Sequence, residues 1–194
     1  MVLAPPQAKL WRMQPVPESH SAISVPGNEG IKIVRSCTIR RSAPDLYAFW
    51  RDFTNLARII RHPVTIAVAG DGQESGWAVS APFKSGKLNW RATIINDKPP
   101  GLIAWRSLEG ADVPNAGSVR FEPAPGDEGT EVTVSLEYDP PGGKLAGLFT
   151  KLSPEDPGRQ VADTLRRFKA LMEAGEIPTI EGQSAGKPQR EARA

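Results

Sequence analysis

The chain has 194 residues, with 24 Lys and Arg against 22 Asp and Glu and a formal net charge of +2. So slight a basic balance, spread along the chain, gives no reason to expect nucleic acid as a partner. The single cysteine, Cys37, excludes an internal disulfide framework and a cysteine-based zinc site, and no run approaches the roughly 18 apolar residues of a membrane span.

Residues 1–29 hold Pro5, Pro6, Pro15, Pro17 and Pro26 with little periodicity and read as an extended or disordered arm. Trp11 either docks that arm on the body or is a stray aromatic. The opening segment MVLAPPQAKLWRMQP has no apolar core long enough for a signal peptide, so a cytoplasmic location is expected. Residues 176–194 are polar and read as a disordered tail, which leaves 30–175 as a single domain, long enough for a real core.

Ile31–Ile39 alternates as a strand, with Ile31, Ile33, Cys37 and Ile39 on one parity and Arg35 breaking the apolar pattern. Ser42 or Ala43 then opens a short helix with Pro44 in its first turn and Leu46, Phe49, Trp50 and Phe53 on its core face. Asn55–Ile60 reads as a second short helix, stopped by His62-Pro63. Six strands follow. Val64–Val68 alternates, and Gly76–Ala81 puts Trp77 and Val79 on one face. Leu88–Ile94 puts Leu88, Trp90, Ala92 and Ile94 on one face. Ile103–Ser107 carries Trp105, Ser118–Glu122 carries Val119 and Phe121, and Glu131–Tyr138 carries Val132, Val134, Leu136 and Tyr138. The period of two and the short Gly-, Pro- and Asp-rich connections predict an antiparallel sheet with one wet and one covered face.

Gly142–Leu152 spaces Leu145, Leu148, Phe149 and Leu152 as a short amphipathic helix, flanked by Lys144 and Lys151. It reads as packing over a cavity mouth or as a lid that opens at an acidic lipid surface, which keeps peripheral membrane contact open. Asp156–Ala174 is the long helix: Val161, Leu165, Phe168, Leu171 and Met172 form one stripe. Arg159, Asp163, Arg166, Arg167 and Lys169 take the other face, with Asp163 and Arg167 placed for an i, i+4 pair. Asp156 serves as N-cap, Pro157 as first helical residue and Gly175 as C-terminal cap.

Ser36-Cys37-Thr38-Ile39, Tyr47–Phe53, Leu102–Leu108, Gly117–Phe121 and Leu165–Lys169, in this order of elements, resemble the START-like or SRPBCC superfamily. The likeness is to bacterial proteins of the polyketide cyclase/dehydrase type and to the coenzyme Q-binding START-like group, and it spans residues 30–175. It implies an α+β helix-grip fold, a curved seven-stranded antiparallel sheet wrapped around a long C-terminal helix. It also implies a hydrophobic ligand held between them, of the lipid, isoprenoid quinone or polyketide-like class; no cofactor is expected.

The inward parity supplies Trp77, Trp90, Trp105, Phe121, Leu136 and Tyr138, and the long helix supplies Leu165 and Phe168, as candidate ligand-lining residues. The alternative for each is plain core packing, and the bulk of an indole suits both. Arg35 points inward if its strand is regular, where it would need an acceptor and could anchor a polar ligand end; at a bulge or an edge it turns to solvent. Arg91, Arg106 and Arg120 fall on the outward parity, a solvated face paired with Glu122, Glu131 and Glu137 or a basic face for an acidic partner. His20 and His62 are the only histidines, too few for a histidine metal cluster; His62 reads as a helix-end residue or a general base. No carboxylate takes the inward parity, and no phosphate-binding loop or dinucleotide fingerprint is present. The expected function is a carrier of a hydrophobic small molecule. The alternative is a cyclase or dehydratase that uses Tyr138, Arg35 or His62, and a third reading is an interaction protein with a vestigial cavity.

Overall fold

The structure, a computed structural model, describes residues 30–80, 87–139 and 157–178. Strand β1 (Ile31–Ile39) leads into α1 (Ala43–Arg51), a 3₁₀ turn (Phe53–Asn55) and α2 (Leu56–Ile59). Then come β2 (Val64–Val68), β3 (Glu74–Ser80), β4 (Lys87–Lys98), β5 (Leu102–Ser107), β6 (Asn115–Pro123), β7 (Thr130–Tyr138) and the closing helix α3 (Pro157–Ala174). The arm 1–29, the short helix read at Gly142–Leu152 and the tail from 179 onward lie outside the described residues.

The strands form one seven-stranded sheet in the order β1-β7-β6-β5-β4-β3-β2. Each neighbouring pair is antiparallel. Every step from β2 to β7 is a hairpin between neighbours; β1 closes on β7 at the far edge. With the two short helices after β1 and α3 against β1, this is the helix-grip arrangement that the resemblance implies. The register carries one parity across all strands. Cys37, Val132 and Phe121 form one row, and Ile33, Leu136, Gly117, Trp105 and Ile94 form another. Cys37 directs its thiol at the Leu165 carbonyl of α3, 3.9 Å away, so this parity is the concave side.

Local chemistry explains the helices. Ser42 caps α1, its hydroxyl accepting from the Asp45 amide at 3.3 Å, and Pro44 sits in the first turn as read. Gly175 adopts φ +80° after α3, and its amide donates to the Leu171 carbonyl at 2.9 Å, the left-handed cap that glycine favours. The second short helix is tighter than its pattern suggests. Asp52 accepts from the Thr54 amide and hydroxyl, which starts a 3₁₀ turn and leaves only Leu56–Ile59 as α-helix.

Three readings of the sequence need correction. Strand β4 continues past Ile94 to Lys98 through a bulge at Ile95. On the polar face of α3 two of the cations reach backbone oxygens. Arg167 donates to the Ile59 carbonyl at 2.9 Å and Lys169 to the Thr38 carbonyl at 2.6 Å. Asp163 pairs with Arg166 instead of Arg167, since the Arg167 guanidinium is already bound to α2. On the convex side Arg91 pairs with Glu74 on β3, and Glu137 is buried with Lys32 at 3.9 Å, so neither of these pairs is one of those expected.

Candidate functional site

The concave side has two unlike halves. Toward β1 and α3, the strands give Ile39, Val119, Phe121 and Val132 to a packed core with Leu46, Trp50, Leu165 and Phe168. Phe168 stacks at a tilt on Phe49, centroids 5.1 Å apart, and meets Trp50 edge-on at 5.3 Å. Phe121, Leu165 and Phe168, three of the ligand-lining candidates, are therefore taken up in packing against α1. Phe121 and Phe168 gain edge contacts with Tyr47 and Trp50 as well as area.

Toward β2, β3 and β4 the same parity is half-buried: Ile66, Trp77, Val79, Leu88, Trp90, Trp105 and Leu136 all keep partial exposure. Trp77 and Trp90 face each other across the β3–β4 ladder and stack, with centroids 5.7 Å apart and planes 10° from parallel. Phe53 rises from the 3₁₀ turn to meet Trp77 at 6.0 Å and Trp105 at 6.0 Å, the latter edge-on at 77°. Phe53, itself 3 % exposed, is thus the partition between the packed half and the open one. Trp105 lies over Gly117, its cross-strand partner, and Leu136 flanks Gly117 on the other side.

The structure brings Trp77, Trp90, Trp105 and Leu136 onto one surface. Tyr138 is half-buried at the end of β7, opposite Asn115. Arg35 keeps its inward register opposite Val134 but is exposed, and its Nη1 donates to the Val34 carbonyl at 2.8 Å. The edge alternative is the one seen, since β1 is an outer strand of the sheet: the guanidinium turns along its own strand and avoids the cost of burial without an acid partner. His62 lies off the concave surface. It borders a small cavity of about 50 Å³ with Gln160, Asp163 and Thr164 of α3. A larger cavity of about 450 Å³ opens on the convex side, over Thr65, Ala67, Gly76 and Ala78 and beneath the Glu109–Ala111 loop. Trp77 and Trp90 border it as well, so their strands separate this groove from the concave surface.

Polar groups near the aromatic surface are mostly engaged. The Trp77 indole donates to Ser75 Oγ at 2.9 Å, and the Asn115 side-chain amide donates to the Val113 carbonyl at 2.9 Å. One carboxylate does reach the inward side, contrary to the sequence reading. The β4 bulge shifts parity, so Asp97 comes opposite Ile103. There it accepts from the Tyr47 hydroxyl and, at 2.7 Å, from Arg51 Nε, while Arg51 Nη1 donates to the Gly72 carbonyl at 2.8 Å. Burial and the hydrogen bond to Asp97 push the Tyr47 phenol up to about 12. With Phe121 packed on Tyr47, this cluster fastens α1 to the closed half. A single bulge was the missing signal, and one Ile-Ile-Asn run does not announce it. Burial likewise pushes the Cys37 thiol up to about 11, which keeps it protonated and inert near neutrality.

Among known families, the one described as "Polyketide cyclase / dehydrase and lipid transport" matches residues 30–173. Among solved structures, DR_A0006 from Deinococcus radiodurans is similar at 39 % identity, TM-score 0.61, covering 75 % of this chain and 98 % of that one. TTHA0849 from Thermus thermophilus is similar at 20 % identity, TM-score 0.55, covering 72 % and 95 %. The di-domain ARO/CYC StfQ from the steffimycin biosynthetic pathway is similar at 12 % identity, TM-score 0.51, covering 72 % of this chain and 50 % of that one. The last two share the fold. No protein of curated function gives a significant match. Among the described residues no helix is long and apolar enough to cross a membrane.

Proposed function

This chain belongs to the polyketide cyclase / dehydrase and lipid transport family, and from that premise we propose that it is a carrier for a hydrophobic small molecule. The ligand class is lipid, isoprenoid quinone or polyketide-like. Its site is the open half of the concave side, lined by Trp77, Trp90, Trp105 and Leu136 with Tyr138 at its edge.

The observation that carries this reading is the partial exposure of four large apolar side chains that all face the concave side. A fully packed core would have closed over them, as it does over Phe121 and Phe168. Sequestering an apolar ligand there gains roughly 25 cal/mol per Å² of area removed from water, before the entropy of association is subtracted. Flat indole faces suit ring systems, and their edges suit acyl or isoprenoid chains. The cyclase reading has less support. Arg35 turns to solvent, His62 lies elsewhere, and the Asp97 carboxylate is engaged with Tyr47 and Arg51 in the closed half.

Native mass spectrometry of gently purified protein tests the proposal. A retained apolar mass, displaced by added quinone or fatty acid with a change in tryptophan emission, is the expected result. Protein that is empty as purified and silent to both probes would sink it. Turnover of a polyketide that is lost on Tyr138→Phe would favour the enzyme instead.

A further inference from the structure

We infer that Gly117 is a specificity-determining position: by lacking a side chain it lets the Trp105 indole lie back against the sheet, and this clearance sets the width of ring system the concave site accepts. The inference rests on the carrier reading above.

Gly117 is buried inside β6, as its third residue, where a glycine ordinarily weakens a strand. Its backbone is not the reason for it, since it is absent from the positive-φ glycines, which are Gly72, Gly110, Gly126, Gly129 and Gly175. The reason is the ring above it. A Cβ at Gly117 would lie 2.5 Å from Trp105 Cζ2, 2.9 Å from Trp105 Cε2 and 2.9 Å from the Ser135 carbonyl oxygen. None of these separations is tolerable. The Ser135 oxygen belongs to the β7 backbone, which is held in ladder with β6, so it yields little. The indole is the part that can move. Its retreat is blocked by the sheet, so it must swing forward, toward Phe53 and the Trp77–Trp90 stack. An aromatic side chain covering a cross-strand glycine is a known way to restore packing lost at the glycine. Here the covered glycine also keeps the aromatic out of the space where a ligand would lie. Trp105 touches the ligand; Gly117 acts through it and is a positioning residue.

The test is a titration of wild type, Gly117→Ala and Trp105→Leu with quinones of two, three and four fused rings, read by tryptophan fluorescence. The expected result for Gly117→Ala is a loss of affinity that grows with ring count, reaching about tenfold at the widest quinone that wild type accepts, the size of effect that overpacking produces. Trp105→Leu removes the ring and should shift preference the opposite way, toward wider quinones. The double variant Gly117→Ala/Trp105→Leu should recover the wide quinones that Gly117→Ala loses, which a merely structural defect would not do. Should Gly117→Ala fail to fold, Trp105→Leu alone decides by the direction of its shift. An equal loss at every ring count, or no change in preference in either variant, overturns the inference and leaves the carrier reading standing. Wild type that takes up no quinone also overturns it, and the retained mass in native spectrometry then decides the carrier reading separately.

Discussion

At the β1–α3 end of the concave side Ile39, Phe121, Val132, Leu165 and Phe168 are at most 3 % exposed, whereas at the β3–β4 end Trp77 and Trp90 stay half-buried although they face the same way. Both ends are rich in large apolar side chains on one parity. They differ in what arrives from above. Helix α1 sends Tyr47, Phe49 and Trp50, and α3 sends Leu165 and Phe168, into the first end, while among the described residues Phe53 is the aromatic that reaches the second. Among the described residues, the same strand chemistry therefore becomes a core where helices fill it and stays half-buried where they do not. Stability should reside in the first half and ligand recognition in the second.

Substitutions can break that division. Phe168→Ala in the closed half should cost about 3–5 kcal/mol in denaturant unfolding, the range for deleting a buried aromatic. A loss under about 1 kcal/mol would mean that the closed half is not the core. Tyr47→Phe removes the hydrogen bond to Asp97 and leaves that half-buried carboxylate one donor short; about 1–2 kcal/mol is expected. Trp90→Ala in the open half should stay below about 1 kcal/mol, as a half-exposed site allows. It should nonetheless abolish the near-ultraviolet dichroism of the stacked Trp77–Trp90 pair and weaken quinone binding.

The smallest effect concerns pH. The Arg40 amide and the Lys169 ammonium, both at 2.7 Å, hold the Glu173 carboxyl below its ordinary value of 4.5. Its folded pKa is depressed, so its contribution to stability is full above about 4.5 and fades as pH falls through the lower folded value. Glu173→Gln should lower the neutral plateau of the stability curve slightly and leave stability at low pH nearly unchanged, which flattens the acid limb. An unaltered acid limb would show that this clamp between α3 and the end of β1 is not closed in solution.

The strands were readable because they alternate, and one break at Arg35 does not hide the period: β1 and β2 run over the residues their pattern marks. The α3 stripe was readable for the same reason, through Leu165 and Phe168. Periodicity does not show how far a neighbouring helix reaches across a sheet, and that is what separates Phe121 from Trp105. The two had looked equivalent as lining residues, yet one is buried against Tyr47 and Trp50 and the other stays half-buried beside Phe53. Arg35 was placed on the correct parity and still reaches solvent, since a long flexible cation follows its hydration more than its strand position. Asp97 and Gly117 escaped notice because each depends on cross-strand register, at a bulge and beneath an indole respectively.

The central claim is that one half of the concave side is filled and the other receives a ligand. The most direct measurement is the set of indole N–H signals in a ¹H–¹⁵N spectrum, recorded as a soluble three-ring quinone is added. Signals of Trp77, Trp90 and Trp105 should shift together and saturate, while that of Trp50, packed against Phe121 and Phe168, holds its position. Movement of Trp50 with the other three unmoved would contradict the account, as would no movement in any of them at saturating quinone.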